Sequence, residues 1–471
     1  MVADLEERKG KQVGGESDAT SQSYQFPAKL VLAIAFFTGM VCIFHSSANE
    51  TEARVSRLLK SEDGPPKLTV GVYYYPWHGK NFHNDGGYLR EQLSQTPQLG
   101  EYDDTDPDVI RQHLAWSQYA NIGLWVTSWW GEGKIEDNTT KKVILKVIEG
   151  TSHKIALHYE TTSRMKGENG TKTTHRVTDD INYICDTYFD HPNYFRINDR
   201  PVLVLYVTRT LDDVPGLLQD ALLLARTAAA KKGYNIYLVG DQAFGKPPVV
   251  NNTLTYEADS FDYLDAITNY DVYGSMGRGY VSNDAIHAFY DNQWIWRRLA
   301  MKEDCAFIPS VTPGYNDLGV RPEAKHAPLS RRLSATSPEG SFFEASLKRA
   351  IGLVDPSAEN LLLVNSFNEW HEDTQIEPCI GDTTDEPYEL TAGLKYEAYG
   401  ELYLDILKRM TPGAAVQTKE KESPKEKEVA KKAAELRSQP PRPGTWREHR
   451  SRSYHDLFEE EEEEDFEIGD R

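Results

Sequence analysis

Apolar runs of strand length recur eight times between residues 67 and 410, and more polar stretches separate them. The runs are nearly continuous rather than alternating, which is typical of strands that are buried on both faces of a parallel sheet. The eight predicted strands cover residues 68–75, 122–130, 154–160, 201–207, 235–241, 265–271, 305–311 and 360–367.

Helix-like stretches lie between most of these strands. Residues 106–120 and 342–354 repeat apolar positions at helical spacing, and residues 213–233 form another such stretch. Strands that alternate with helices predict an α/β fold, a (β/α)8 TIM barrel that forms a single domain at residues 67–411. A doubly wound sheet is the alternative, although the glycine-rich phosphate loop of that fold is absent after the first predicted strand.

Polar and aromatic residues gather where the predicted strands end. In TIM barrels the active site lies at the C-terminal ends of the strands, so we expect function on this rim. The residues concerned are Tyr73 to His78, Trp129, Trp130, His158 to Glu160, Asp241, Asn269 to Asp271 and Glu369 to Glu372.

The N-terminal part of the chain has a different pattern. Residues 1–28 are polar, and the apolar run 30–44 follows Lys29. Basic residues before this run favour a cytosolic N-terminus. We therefore predict a cytosolic tail at 1–28, a transmembrane signal anchor at 29–45 and a lumenal stem at 46–66. A cleaved signal peptide and a buried helix remain the alternatives for the apolar run.

Four N-glycosylation sequons follow the predicted anchor, at Asn49, Asn138, Asn169 and Asn251. Because the anchor would place all four in the lumen, they agree with a single-pass type II Golgi membrane protein whose barrel is lumenal. Secretion and residence in the endoplasmic reticulum are the alternatives. Residues 412–471 are rich in charge and proline and end in an acidic run, which predicts a disordered tail.

Charge and aromatic content narrow the choice of partners. A formal net charge of −21 and a pI near 5.1 argue against nucleic acid, because phosphates bind a basic surface. The 9 Trp and 26 Tyr favour a carbohydrate, whose C–H faces pack on aromatic rings, although core filling explains most of them. The four cysteines show neither a disulfide framework nor a metal spacing, so we predict no metal and no cofactor.

Two glutamates stand three residues apart after the last predicted strand, Glu369 and Glu372, in the sequence NSFNEWHEDTQIEP at 365–378. Glycoside cleavage needs one group that protonates the departing oxygen and a second that acts at the reacting sugar. Two glutamates in different environments supply both, one ionised and one protonated. The pair therefore predicts a glycosidase, whereas a surface loop with incidental acids is the plainer interpretation.

The segment NEWHEDTQIEP resembles the signature of glycoside hydrolase family 99, the endo-acting α-mannosidases and α-mannanases. Further segments match the family in the same order, over residues 67–410. They are YYYPWHG, SWWG at 128–131, HYE at 158–160, NYDVY at 269–273 and PGYND with Arg321-Pro322. The resemblance implies an endo-acting α-mannoside hydrolase that retains anomeric configuration and acts on α-mannose-containing oligosaccharides, N-glycans or mannans.

The resemblance also implies roles for individual residues. Glu369 would be the general base that takes the O2 proton and gives a 1,2-anhydro sugar, and Glu372 would be the general acid for the leaving oxygen. Glu160 would hold sugar hydroxyls, and Tyr270 would lie close to the reacting ring. The full set expected to bind substrate is Tyr75, His78, Trp129, Trp130, His158, Glu160, Tyr270, Tyr315, Asn368, Trp370 and His371.

Two positions depart from the family pattern. Asp373 stands where the family has glycine, and HYE is followed by Thr161-Thr162 rather than by proline. A third acid beside Glu372 would either raise the pKa of Glu372 further or crowd the loop.

Three other functions are compatible with parts of the sequence. A metal-dependent hydrolase would use His78, His83, His158 and His371, although no His-x-His follows an early strand. A carbohydrate-binding barrel without activity would keep the aromatic residues but would need neither glutamate. A glycosyltransferase-associated barrel of related sequence is the third alternative.

Overall fold

A computed structural model of the chain describes residues 67–79, 95–247, 249–250, 253–254, 259–321, 323, 326–381 and 388–413. The predicted cytosolic tail, signal anchor and stem lie outside these ranges, as do Asn49, Asn251 and the tail beyond residue 413. No helix within the described ranges has the length and apolar character that crossing a bilayer requires.

Nine strands in the described ranges correspond to the eight predicted ones, because β11 and β12 both lie in the predicted strand 305–311; the other five are two-residue strands beside them. The strands are β1 Thr69–Tyr74, β2 Thr96–Pro97, β3 Ile122–Trp129, β4 Lys154–Tyr159, β5 Arg196–Ile197, β6 Arg200–Leu205, β7 Tyr237–Asp241, β8 Val249–Val250, β9 Thr253–Leu254, β10 Ala266–Thr268, β11 Ala306–Ile308, β12 Ser310–Val311, β13 Leu361–Val364 and β14 Cys379–Ile380.

Helices connect the strands and cover the outside of the sheet. The α-helices are α1 Pro107–Tyr119, α2 Ile135–Thr139, α3 Leu145–Ile148, α4 Thr161–Arg164, α5 Val177–Ile184, α6 Leu217–Lys231, α7 Val272–Met276, α8 Asn283–Lys302, α9 Ser341–Ile351, α10 Tyr388–Thr391 and α11 Leu402–Met410. Wider turns at Thr140–Ile144 and Cys185–Phe189 continue α2 and α5.

The parallel strands close into a barrel. Their order is β11-β10-β7-β6-β4-β3-β1-β13-β12, and β11 and β12 are two halves of one strand that Pro309 interrupts. Pro309 has no N–H to donate, but its carbonyl accepts a bond from the Leu363 amide at 3.0 Å, so β13 stays paired across the break. The predicted (β/α)8 barrel is therefore confirmed, and the doubly wound alternative is wrong.

Sequence features explain how α1 leads into β3. Asp106 caps the helix by accepting a bond from the Asp108 amide, and proline occupies the first turn, where no N–H is needed. Asn121, with φ of 61°, ends the helix in a left-handed turn, and β3 begins at the next residue.

Close packing in the sheet explains a glycine in β1. A Cβ on Gly71 would lie 2.9 Å from Leu363 Cδ2 and 3.1 Å from Leu124 Cδ2, on the two neighbouring strands. Only glycine leaves room for both leucines. The barrel interior is thus filled with side chains, and the polar residues are left at the ends of the strands.

Candidate active site

The segment 365–377, which we call the acid loop, leaves β13 at the C-terminal rim and closes upon itself. The Ser366 amide donates to the Thr374 carbonyl at 2.7 Å, and the Glu377 amide donates to the Phe367 carbonyl at 2.8 Å. The Ser366 and Thr374 hydroxyls also bond each other at 2.8 Å. These bonds fix the neck of the loop, so the side chains that it carries have defined positions.

Glu369 is held by its own loop. Its amide donates to Ser366 Oγ at 2.9 Å, and its Oε1 accepts a bond from the His371 amide at 2.8 Å. His371 Nδ1 lies 3.4 Å from the same oxygen. The side chain is almost fully buried. Within the described ranges the salt bridge to this carboxylate comes from His371 and not from a Lys or Arg side chain, so His371 orients it.

Glu372 lies three residues further along and has a different environment. Its side chain is 16% exposed, and its Oε1 accepts a bond from Arg321 Nη1 at 2.7 Å. Burial and the Glu369 charge together raise the pKa of Glu372 from its usual value to about 7, although Arg321 opposes both effects. A carboxyl group with this pKa can both give and take a proton near neutral pH.

A third acid, Glu160, stands at the end of β4. Ser128 Oγ donates to Glu160 Oε1 at 2.7 Å, and the residue is 3% exposed. Burial raises the pKa of Glu160 to about 8, and the charges of Glu372 and Glu369 contribute in the same direction. The mutual influence of the three acids shows that β4 and the acid loop bring them to one place.

Hydroxyl and amide groups join the first strand to the acid loop. The Tyr75 amide donates to Asn368 Oδ1 at 2.8 Å, and Asn368 Nδ2 donates back to the Tyr75 carbonyl at 3.0 Å. The Tyr75 hydroxyl bonds the Tyr270 hydroxyl, which comes from the end of β10. Asn368 therefore links the ends of β1 and β13, which are far apart in the sequence.

Two histidines stack beside Glu369. The rings of His78 and His371 lie 5.8 Å apart at an angle of 20°. Asp104 Oδ2 accepts a bond from the His78 amide at 2.8 Å and lies 3.0 Å from its Nδ1. Burial, helped by His371, lowers the pKa of His78 to about 3, so the ring is neutral. Asp104 fixes how this ring is turned.

His158 lies deeper, among tyrosines at the top of the barrel. Its ring is 4.8 Å from that of Tyr73, 5.3 Å from that of Tyr206 and 5.4 Å from that of Tyr270. Its Nδ1 is 3.6 Å from Glu160 Oε1, too far for a hydrogen bond. Burial lowers the pKa of His158 to about 3, so a neutral imidazole lies beneath the acids.

The two tryptophans at the end of β3 point in different directions. Trp130 Nε1 donates to Ser128 Oγ at 2.9 Å, next to Glu160, and its ring lies 6.3 Å from that of Trp77. The Trp129 ring is fully buried, stacks on Tyr159 at 5.7 Å and donates to an aspartate in α2. The structure therefore brings Trp130 to the acids and places Trp129 behind the strand.

Trp370 is also placed away from the acids. Its indole is fully buried and donates to Glu377 Oε2 at 2.7 Å. Tyr102 donates to the same oxygen at 2.8 Å, so the indole belongs to a buried polar cluster around Glu377, the last residue of the acid loop. The remaining predicted residue, Tyr315, stacks on Tyr273 at 3.8 Å and lies near the Glu372 charge.

Several residues of this site did not figure among the predicted substrate-binding residues. Tyr206 follows β6 at a strand end, so the rule used for the other strands would have found it. Ser128 bonds both Trp130 and Glu160, yet serine carries little signal in a sequence. Arg321 stands 51 residues before Glu372, and no local pattern connects them.

Asp373 shows why a glycine would suit its position. Its φ is 55°, a left-handed conformation that glycine adopts without strain. Arg331 Nη2 donates to the Asp373 carbonyl at 3.0 Å and to its Oδ1 at 3.2 Å, and both side chains are buried. The extra carboxylate is thus neutralised by Arg331, and the loop accommodates it.

The described residues offer little for a metal or for disulfides. No group of three or more His, Cys, Asp or Glu side chains is arranged there to hold a metal ion. Cys185, Cys305 and Cys379 are buried free thiols. Acid–base chemistry by the three glutamates is what the arrangement supports.

Comparison with known proteins places this geometry in a family. The sequence profile of glycosyl hydrolase family 99 matches residues 70–214 and 251–411. A glycoprotein endo-alpha-1,2-mannosidase-like protein of Mus musculus is 28% identical over 343 residues, which are 66% of this chain and 63% of that protein. The glycoprotein endo-alpha-1,2-mannosidase of Rattus norvegicus is 25% identical over 411 residues, with 76% and 77% covered.

A solved structure shares the fold. The GH99 endo-alpha-mannosidase from Bacteroides thetaiotaomicron, in complex with bis-tris-propane, superposes with a TM-score of 0.52 at 23% identity. The match covers 73% of this chain and 95% of that one. The chain spans 63% and 64% of the length of the mouse and Danio rerio endo-alpha-1,2-mannosidase-like proteins.

Proposed function

Since the chain belongs to glycosyl hydrolase family 99, we propose that it cleaves internal α-mannosidic bonds, with Glu369 and Glu372 as its catalytic pair. The substrates would be N-glycans or mannans that contain α-linked mannose. Relatives that are named as endo-alpha-1,2-mannosidases support this substrate class.

One observation carries the proposal: two glutamates of one short loop have contrasting surroundings. Glu369 has an oxygen that accepts a bond from the His371 amide, as suits a proton acceptor. Burial raises the pKa of Glu372 to about 7, as suits a proton donor at neutral or lower pH. The pair therefore supplies a base and an acid from a single rigid segment.

The chemistry follows from the stereochemistry of mannose. In an α-mannoside the 2-hydroxyl and the leaving group are trans, so O2 can attack C1 from the face opposite the departing oxygen. Glu369 takes the O2 proton as the O2–C1 bond forms, and Glu372 gives its proton to the leaving oxygen as the C1–O bond breaks. The product of this step is a 1,2-anhydro sugar.

Water completes the reaction in a second step, in which Glu372 acts as the base and Glu369 as the acid. Glu372, now ionised, takes a proton from water, whose oxygen attacks C1 and opens the anhydro ring. Glu369 returns its proton to O2. Two inversions at C1 leave the α configuration retained, and no covalent bond to the enzyme forms.

The residues around the pair would bind the sugar. Trp130 offers a half-buried aromatic face beside Glu160, whose pKa of about 8 lets it donate a hydrogen bond to a sugar hydroxyl at neutral pH. The bonded hydroxyls of Tyr75 and Tyr270 stand close to both catalytic acids. Polar groups of this kind orient a substrate that aromatic faces hold.

We place the protein in the Golgi membrane, with the barrel in the lumen. The apolar run 30–44 after basic residues, the four sequons and the substrate class support this location. A secreted protein, or one that resides in the endoplasmic reticulum, would carry out the same reaction. Protease protection of the barrel in sealed Golgi vesicles would support the lumenal orientation, and cleavage without detergent would contradict it.

The activity can be tested with purified protein and defined glycans. High-mannose N-glycans and yeast-type α-mannan are incubated with the wild-type chain, with Glu372→Gln and with no protein, and the products are sized by mass spectrometry. We expect the wild type alone to release an oligosaccharide of two or more sugars. Release of single mannose only, or no cleavage, would reject the endo-acting assignment; binding of the glycan without cleavage would favour a carbohydrate-binding barrel.

A further inference from the structure

We propose that Asp317 and Arg321 form a positioning pair that sets how readily Glu372 takes up and gives away its proton. The inference rests on the proposed function, in which Glu372 must act first as an acid and then as a base. Its evidence is an arrangement of three charged side chains on two loops.

One nitrogen of Arg321 is shared between two acids. Arg321 Nη1 lies 2.7 Å from Glu372 Oε1 and 3.1 Å from Asp317 Oδ2. His326 Nδ1 lies 2.7 Å from the same Asp317 oxygen. Because Asp317 attracts the guanidinium, it weakens the hold of Arg321 on Glu372.

The backbone keeps this arrangement in place. The Arg321 amide donates to the Asp317 carbonyl at 2.7 Å, which makes one turn and sets both side chains on its same side. The Asn316 amide donates to the Glu372 carbonyl at 2.8 Å and so ties this turn to the acid loop. The Asp317 side chain is fully buried, whereas that of Arg321 is 49% exposed. Asp317 is therefore the fixed member and Arg321 the adjustable one.

The other groups that face Glu372 are acids, tyrosines and a histidine. Glu369, which His371 contacts, comes from its own loop, and Glu160 comes from the end of β4. Four tyrosines from the ends of β6, β10 and β12 complete its surroundings: Tyr206, Tyr270, Tyr273 and Tyr315. Burial and the neighbouring acids favour the protonated form of Glu372, and the contact with Arg321 favours the ionised form.

Changes to the two members of the pair should therefore act in opposite directions. Without the Arg321 charge, Glu372 holds its proton more tightly. Without the Asp317 charge, Arg321 is left to Glu372 alone, and Glu372 loses its proton more easily. Damage to the loop would instead lower activity in both variants without moving the pH at which activity is lost.

The test is the pH dependence of kcat/KM for the full chain. Because the first step needs protonated Glu372, the alkaline limb of the profile reports its ionisation in the free enzyme. We expect Arg321→Met to move this limb up by about one pH unit and Asp317→Asn to move it down by about half a unit. Arg321→Lys, which keeps the charge, should stay near the wild type, as should Arg111→Met, a control at an exposed ion pair with Asp108.

A second readout needs no turnover. The ionisation of Glu372 also appears in how the unfolding free energy varies with pH, when each variant is compared with the same variant carrying Glu372→Gln. The proposal would be overturned if the alkaline limbs of the kcat/KM profiles coincide in all variants. It would also be overturned if Arg321→Met and Asp317→Asn move this limb in the same direction. A wild-type chain without mannosidase activity would instead refute the proposed function, and the stability comparison would still decide on the pair.

Discussion

Replacing Glu160 with glutamine should make the protein more stable at alkaline pH while impairing substrate binding. Glu160 is 3% exposed, and the hydrogen bond from Ser128 is the direct bond that stabilises its carboxylate. Glutamine has the same shape and can still accept that bond through its oxygen. The substitution therefore removes the cost of a buried charge and leaves the packing as it was.

The magnitude follows from the raised pKa of Glu160. Burial moves this pKa from 4.5 in the unfolded chain to about 8 in the folded protein. Between these values the folded state binds more protons than the unfolded state, so the unfolding free energy falls as pH rises. At about 1.36 kcal/mol for each pH unit, the upper limit of the loss is about 5 kcal/mol. Because the charges of neighbouring acids contribute part of the raised pKa of Glu160, we expect about 2–4 kcal/mol.

The assay is denaturant unfolding at pH 5 and pH 8.5 for the wild type and Glu160→Gln. The difference in unfolding free energy between the two proteins should grow in favour of the variant between these pH values. Glu149→Gln, at an exposed position, controls for the loss of one negative charge. Parallel stability curves for the wild type and Glu160→Gln would refute the claim that this carboxylate is held in an unfavourable ionised state at alkaline pH.

Three further predictions concern the surroundings of the acids. Trp129→Phe should lower the unfolding free energy by about 1–3 kcal/mol and leave KM unchanged, because the smaller ring leaves a cavity and removes one of several donors to the buried Asp137. Trp130→Phe should raise KM in steady-state kinetics with little effect on thermal stability. Arg331→Met should cost about 3–5 kcal/mol in denaturant unfolding, since it leaves a buried carboxylate unpaired, and an unchanged midpoint would contradict this. Removing the hydroxyl of Tyr75 or Tyr270 should lower kcat, and the double variant should lose less than the two single losses combined, as a double-mutant cycle would measure.

The barrel could be predicted from the sequence because its strands are continuous apolar runs that end in polar residues. The strand that Pro309 interrupts is also predictable, since the apolar residues on both sides of the proline form one continuous stretch at 305–311. Six of the eight strands end one to three residues earlier in the structure than in the prediction, because the residues at their C-terminal ends turn out of the sheet into the rim loops.

The direction of individual side chains was harder to predict. The sequence predicts both Trp129 and Trp130 at the substrate, yet consecutive residues at a strand end face opposite ways, so only Trp130 joins Ser128 beside Glu160. The alternation of side chains along β3 can be read from the sequence alone. The contact between Arg321 and Glu372 was not predictable, because it depends on the path of two loops that come together only in the folded barrel.

The most direct test of the central claim compares Glu369→Gln and Glu372→Gln on two substrates. On an oligomannoside both variants should fall by about 10²–10⁴-fold, because each loses one proton transfer. An aryl α-mannobioside whose phenol leaves without protonation needs the base but not the acid. In a single-turnover experiment Glu372→Gln should therefore release this phenol at nearly the wild-type rate, and Glu369→Gln should not. Equal losses for both variants on both substrates, or full activity of Glu369→Gln, would contradict the division of labour between the two glutamates.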